Sequence, residues 1–475
     1  MFGHLQLSVP AGTVSAVVHE VEVAASSPSH TPAAARQLRS LSEAEAYVAS
    51  VCFKHGPPRL QGVELEWLVH SGTAPGAPPD RARLASALGP HAPTTLVPSS
   101  PAQPLPHGST VTVEPGGQVE LASPPLADLG SLVRVTAADA AELHRRLAAC
   151  GLVVQPRATD PLRPPTRILD HPRYAAMERA FDRRGPHGRS GMCSTTAVQV
   201  CLDVGTAADL PLRWETLHAL GPVLLAAFAN SPVLAGRRTG WKSSRMACWL
   251  SADPTRTTPP RPRSADPVTD WAARVLGTPL LCVRRDDGPW DAPPGVTFAD
   301  WIAGALPTAP TTADLDYHVS TLFPPVRAHG FLEVRYVDGQ AGSGWALPIA
   351  VLVALLSRRE VTERALELSR PVADRWIEAA RCALADPALA AAAGSVFELA
   401  CAAAREVGAP ADVVTALEDM TARRVLRGRC PADDLLDEER LRPQPVVDTG
   451  DEWPLLTSVV APAALSTAVP EGDPS

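Results

Sequence analysis

The chain has 475 residues, 45% apolar and 20% charged, which suits a soluble globular protein with a large core and exceeds one ordinary domain. Its formal charge of −8 argues against a general nucleic-acid binder, which needs a basic surface. All but two of its 43 basic residues are arginine, the lysines being Lys54 and Lys242.

Residues 1–40 are rich in Ala, Ser and Val without a period, and are expected to form a loosely attached extension lacking the pattern of a secretory signal. In Val63–Trp67 the apolar residues take odd numbers and the carboxylates even ones. A strand there places Glu64 and Glu66 on one face and Val63, Leu65 and Trp67 on the other. The Pro-rich stretches Ala74–Pro79, Gly89–His107 and Thr257–Pro267 read as surface loops. Val111–Leu121 reads as a hairpin, and its parity selects the loop. Only a three-residue loop, Pro115–Gly117, puts Val111, Val113, Val119 and Leu121 on one face and Thr112, Glu114, Gln118 and Glu120 on the other.

A third strand, Ala197–Asp203, buries Val198, Val200 and Leu202 and presents Gln199, Cys201 and Asp203. Pro211–Phe228 reads as a helix. A fourth strand, Phe331–Tyr336, buries Leu332, Val334 and Tyr336 and presents Glu333 and Arg335. Val361–Leu384 reads as a helix exposing Glu363, Glu367 and Arg370, and Ala-rich periodic segments continue to about Leu426. After Arg440, prolines including Pro443, Pro445, Pro454, Pro462 and Pro470 point to an irregular tail. No run reaches the roughly 20 apolar residues of a membrane helix; the best, Trp345–Leu356, is interrupted by Pro348. Nine scattered cysteines without a C-x-x-C pair fit reduced thiols in a cytoplasmic protein.

Four segments thus carry one apolar face and one face of acid or amide groups. Two like charges about 4 Å apart repel by on the order of 1 kcal/mol in water and about 4 kcal/mol at a protein-like dielectric. Gathered in one cleft, Glu64, Glu66, Glu114, Glu120 and Glu333 would need cations among them, and oxygen ligands with one amide, Gln199, suit Mg²⁺ or Mn²⁺. Pattern alone leaves two arrangements open: such a cluster, or solvated faces on strands of different sheets.

Several blocks, in order along about residues 48–340, resemble the glutamate–cysteine ligases of the plant and bacterial type. They are Gly62–Glu66, Glu114–Gln118, Gly191–Asp203, Phe228–Pro232 with Gly236, Thr239–Arg245 with Trp249, Asp253–Arg256, and Ser320–Arg327 through Leu332–Arg335. The nearest subgroup by resemblance is the actinobacterial type that supplies γ-glutamylcysteine for ergothioneine synthesis. The resemblance implies an α+β, glutamine-synthetase-like catalytic domain over 41–340, with a curved, mainly antiparallel sheet and helices on its outer face. A helical C-terminal region over 341–440 and the tail 441–475 would follow. It implies Mg²⁺, with Mn²⁺ as the alternative, and ATP as co-substrate in joining L-glutamate to L-cysteine, by a monomer needing neither nucleic acid nor membrane.

By the same resemblance, Glu66, Glu114 and Glu120 match one metal position, and Glu64, Gln199 and Glu333 a second. Gln199 and Arg335 would reach ATP, and Arg335 the transferring phosphate. Arg245 would hold glutamate, a task suited to a bidentate guanidinium. Trp249, Arg256, Tyr317 and Thr321 are further substrate-binding candidates. Lys242 is a phosphate candidate by its rarity, although Gly236, Gly240 and Lys242 lack the spacing of a phosphate-cradling loop. Cys193 and Ser194 read as strand residues rather than nucleophiles, for no G-x-S-x-G elbow surrounds Ser194. A different amine acceptor, or a non-catalytic nucleotide-binding role, are the competing readings.

Overall fold

The computed structural model describes residues 35–260 and 264–440, an α+β arrangement of an antiparallel sheet and many helices. Its strands are β1 (Gln61–Ser71), β2 (Thr110–Val113), β3 (Val119–Ala122), β4 (Leu152–Gln155), β5 (Ala197–Leu202), β6 (Val233–Leu234), β7 (Arg237–Arg238), β8 (Val326–Ala328) and β9 (Leu332–Asp338). Six run side by side in the order β2-β3-β1-β5-β9-β8, with β4 paired to the far end of β1 and every pairing antiparallel. The short β6–β7 hairpin stands apart.

All four segments expected as strands belong to this one sheet. The β2–β3 hairpin has the three-residue loop: Thr112 faces Glu120, and the Glu114 N–H donates to the Gln118 carbonyl at 2.8 Å. Gly117 closes it at φ +89°, a conformation that costs an L side chain strain. The neighbouring Gly116 is required for another reason. A Cβ there would lie 2.0 Å from the Cys193 carbonyl oxygen, so only glycine lets the loop rest against the helix His187–Ser194.

Pleating sends Val63, Leu65, Val111, Val113, Val119, Leu121, Val198, Val200, Val334 and Tyr336 into one continuous apolar core. The helices Leu129–Ala149, Leu210–Phe228 and Ala346–Leu355 contribute to that core. Truncating a core leucine such as Leu121 to alanine would cost about 2–5 kcal/mol. A β-bulge admits one extra β9 residue between the Val198–Val337 and Val200–Val334 pairs. It sits beside Gln199 and Arg335, where the sheet's polar face does its work.

The C-terminal helices share this core rather than forming one of their own: Val361, Trp376, Leu389, Phe397 and Leu417 belong to the same cluster as the strands. The helix expected over Val361–Leu384 is instead two, Arg359–Ser369 and Trp376–Cys382, separated by a 3₁₀ turn at Arg370–Val372. Pro371, which has no N–H to continue the ladder, sits in that turn. Among the described residues one helix, Pro387–Glu406, is long and apolar enough to cross a membrane by length and composition, although Glu398 and Arg405 interrupt its apolar run. Its buried side, Leu389, Ala393, Val396, Phe397, Ala400 and Ala404, packs as a core helix.

Most of the N-terminal extension and the tail after Arg440 lie outside the described residues. The described end of the extension is tied down: Leu38 is buried, its N–H donates to the Pro310 carbonyl at 2.9 Å, and Ser40 caps the helix Leu41–Cys52.

Candidate active site

On the polar face, register alone sets the acids side by side. Glu66 on β1 faces Glu120 on β3, Glu120 faces Thr112 on β2, and Glu64 faces Gln199 on β5. Glu114 joins them from the hairpin loop. These four glutamates and Gln199 line a cleft of about 290 Å³. The helix Pro172–Asp182 covers it with Arg173, Tyr174 and Met177, the helix His187–Ser194 with Gly191 and Met192, and the helix Ser244–Ala252 with Arg245 and Trp249.

The four cleft glutamates expose their tips to the cleft yet lie deep in the protein, and each holds its proton more tightly than usual. Burial is the largest cause for all four. Their mutual repulsion follows: Glu120 and Glu333 act on Glu64, and Glu114 acts on both Glu66 and Glu120. Glu66 and Glu120 are pushed up to about 8. Their few hydrogen bonds are insufficient compensation. Glu66 accepts from the Ala197 N–H at 3.0 Å and from Gln199 Nε2 at 2.7 Å, and Glu120 accepts from Thr112 Oγ1 at 2.6 Å. This half of the cleft is short of positive charge.

Glu333 is different. It is buried and does not line the cleft. Arg327 on β8 forks onto it, Nε to Oε2 at 2.6 Å and Nη2 to Oε1 at 3.0 Å, while Arg335 Nη1 donates to Oε1 at 2.5 Å. Burial works to raise its proton affinity, but the two guanidiniums outweigh it and hold the carboxyl down at about 2. Arg335 Nη1 also donates to Gln199 Oε1, tying this pair to the acidic half. The guanidinium carbon of Arg335 stands 5.9 Å from the centre of the Phe323 ring.

Arg245 is buried at the cleft wall. Its Nη2 donates to the Arg335 carbonyl at 2.6 Å, and its Nε is buried without a hydrogen-bond partner. Trp249 packs against Phe323 with ring centres 5.3 Å apart and planes tilted by 43°, and its ring limits Gly191, where a Cβ would approach to 3.1 Å. The cleft thus gathers Glu64, Glu66, Glu114, Glu120, Gln199, Arg245, Trp249 and Arg335 of the expected residues, with Glu333 directly beneath.

Besides Glu333, four expected residues are not in the cleft lining. Arg256 is buried in a structural ion pair with Asp253, Nε to Oδ2 at 2.8 Å, and its other nitrogens are spent on the Thr321 and Pro279 carbonyls. Thr321 accepts from that same guanidinium and donates to the His318 carbonyl at 2.7 Å. Lys242 pairs with Asp433 on the helix Pro431–Arg440. Tyr317 lies behind the lining, under the guanidiniums of Arg173 and Arg284 at 4.9 Å each. Conversely, Arg173 and Arg327 were not singled out from sequence. The signal for Arg327 was present, since a hairpin turning at His329–Phe331 pairs it with Glu333. Arg173 carried none, because it stands in a helical first turn with none of the expected site residues near it in sequence.

Among the described residues, no three His, Cys, Asp or Glu side chains form a closed metal-ligand set. The donor chemistry nonetheless suits a hard divalent cation: four carboxylates made costly by burial, three of them further by acidic neighbours, with one amide and no sulfur or imidazole.

Comparison with known proteins identifies the family. The family described as glutamate-cysteine ligase family 2 (GCS2) matches residues 60–452. The chain is 37% identical over 413 residues to the glutamate–cysteine ligase EgtA of Mycobacterium tuberculosis, covering 84% of this chain and 91% of that protein. It is 32% identical over 243 residues to the chloroplastic glutamate–cysteine ligase of Medicago truncatula, 48% of this chain and 47% of that one. A solved structure of the Francisella tularensis glutamate–cysteine ligase in complex with AMP superposes with a TM-score of 0.46 at 14% identity, over 82% of this chain and 86% of that one.

Proposed function

The chain belongs to glutamate–cysteine ligase family 2, and on that premise we propose how its cleft makes γ-glutamylcysteine from L-glutamate, L-cysteine and ATP. The observation that carries the reading is the division of the cleft: an acidic half short of cations beside an arginine-rich half that suits anions.

A carboxylate is a poor electrophile, so it must first be activated. A γ-carboxylate oxygen of glutamate attacks the γ-phosphorus of ATP, the bond to ADP breaks, and γ-glutamyl phosphate forms. The cysteine amine then attacks the acyl carbon, the amide bond forms and phosphate leaves. Attacker and leaving group are both anionic, so placement and charge supply most of the rate. Arg335 and Arg327 face that charge, their own repulsion absorbed by Glu333. Arg245 offers its unpaired Nε for a substrate carboxylate, and Trp249 with Phe323 forms an apolar wall. Glu64, Glu66, Glu114, Glu120 and Gln199 would hold Mg²⁺, or Mn²⁺ by the same chemistry. Such an ion neutralises phosphate oxygens when bound. Glu333, with both oxygens engaged by arginine, is the proposed ligand with the weakest geometric support. The same reading takes the enzyme as a cytoplasmic monomer whose product feeds ergothioneine formation.

The test is coupled ADP release with glutamate and a panel of amines. Cysteine should give the highest kcat/KM. A preference for another amine would reassign the acceptor, and no glutamate-dependent ADP release would leave only a nucleotide-binding homologue.

A further inference from the structure

Phe228–Pro232 and Thr239–Arg245 carry much of the family resemblance, yet from these stretches only Arg245 lines the cleft. What gathers them is Asp338, the last residue of β9, two residues beyond the strand end expected from sequence and fully buried. Its Oδ2 accepts from the Asn230 N–H at 2.9 Å and from Ser231 Oγ at 2.7 Å, and its Oδ1 accepts from Ser243 Oγ at 2.8 Å. Both hydroxyls then act at the start of the helix Ser244–Ala252. Ser243 Oγ accepts from the Met246 N–H and Ser231 Oγ from the Arg245 N–H, each at 3.2 Å. Asn230 extends the bracket through its side chain, donating to the Gly339 carbonyl at 2.7 Å.

The same carboxylate stands 3.7 Å from Arg245 Nη1. That is close enough to orient a buried cation and too long to be a full hydrogen bond, so it leaves guanidinium capacity for a second carboxylate. The other hydrogen-bond partners of Arg245 are uncharged, the Arg335 carbonyl and Met246 Sδ at 3.3 Å, while Glu66 attracts and Arg335 repels its guanidinium without a bond.

We propose that Asp338 is a positioning residue for substrate glutamate. It fixes the backbone of the helix that carries Arg245 and Trp249, and supplies the fixed negative charge that aims the Arg245 guanidinium. The proposal rests on the reading that Arg245 holds glutamate. An amide in place of Asp338 offers one acceptor oxygen where two are used, so either Asn230 N–H or the Ser243 hydroxyl loses its partner.

The experiment is steady-state ADP release by Asp338→Asn, varying glutamate, ATP and cysteine in turn. KM for glutamate should rise about 10-fold or more, with KM for ATP and kcat at saturating glutamate within about 3-fold. A parallel rise in KM for ATP, or an unchanged KM for glutamate, would mean that Asp338 only supports the fold, and overturns the proposal. Should Asp338→Asn fail to fold, Ser243→Ala, which removes one of its donors, should show the same split at about 3-fold, and a flat result there overturns it equally. In an Arg245→Lys background, Asp338→Asn should add less than about 2-fold to KM for glutamate, whereas additive effects count against the linkage. A wild type without glutamate-dependent turnover sinks the parent reading and this proposal together, while a glutamate-dependent wild type with an indifferent variant sinks this one alone.

Discussion

Two carboxylates three strands apart in the sheet make the most instructive contrast in the molecule. Glu120 on β3 and Glu333 on β9 are the same residue type on the same polar face, and burial pushes both toward protonation. Glu120 has Glu114 and Glu66 for neighbours and is driven up to about 8; Glu333 has Arg327 and Arg335 and is held at about 2. Depth is common to both, so the neighbours decide. One half of the cleft is therefore charged against itself and suited to receiving cations, while the other has neutralised its acid internally and keeps arginine for anions.

The contrast breaks most sharply under matched amide substitutions. Glu333→Gln strands two arginines over a buried neutral group and should cost about 3–5 kcal/mol of stability with loss of ADP formation. Glu64→Gln, at a position with no hydrogen bond of its own in the structure, should instead raise the stability of the metal-free protein by about 1 kcal/mol through relief of repulsion. Its ADP formation should still fall by about 100-fold or more. Urea melts with parallel assays check both, and a shared sign for the two stability changes would erase the distinction.

Next in size is the dependence on pH. Glu66 and Glu120 bind protons more tightly folded than unfolded, so without metal the stability they lend is present below about pH 4.5 and lost as pH rises toward 8. Glu333 runs the other way: its contribution is present above about 4.5 and lost as pH falls toward 2. Thermal midpoints of metal-free protein should therefore decline on both sides of mildly acid pH. Mg²⁺ with ADP should lift the alkaline side selectively, and equal shifts at pH 5 and pH 8 would argue against the acidic half as the cation site.

A smaller effect is expected at the loop that carries Glu114. Gly116→Ala drives a Cβ into the Cys193 backbone and should displace Glu114, lowering kcat/KM about 10-fold and stability by about 1–3 kcal/mol. The smallest belongs to a residue outside the division: Lys242→Ala should leave ADP release within about 2-fold, because its ammonium is committed to Asp433. A larger loss would return Lys242 to the phosphates.

Much of the acidic half was legible beforehand. Period-two alternation assigned Glu64 and Glu66 to one face, and hairpin parity placed Glu114 and Glu120 on another strand pair with the loop length observed. The arginine half was legible in part, since Arg335 shares a strand face with Glu333 and a hairpin turn offers Arg327 to it. Arg327 meets Glu333 only through the β8–β9 pairing, and Arg173 arrives on a helix about 150 residues earlier in the chain. Arg256 and Lys242 misled because residue type says nothing of a partner: Asp253 and Asp433 had claimed them.

Taken alone, the residue order settled which side of its own strand each glutamate occupies, since backbone pleating is a local property that alternates whatever lies nearby. Only the tertiary structure decided that β3, β1, β5 and β9 lie adjacent and in which register. With that it decided which carboxylate is left facing its own kind and which receives two guanidiniums. The reason is that proton affinity sums over charges contributed by distant parts of the chain, and no local pattern contains that sum.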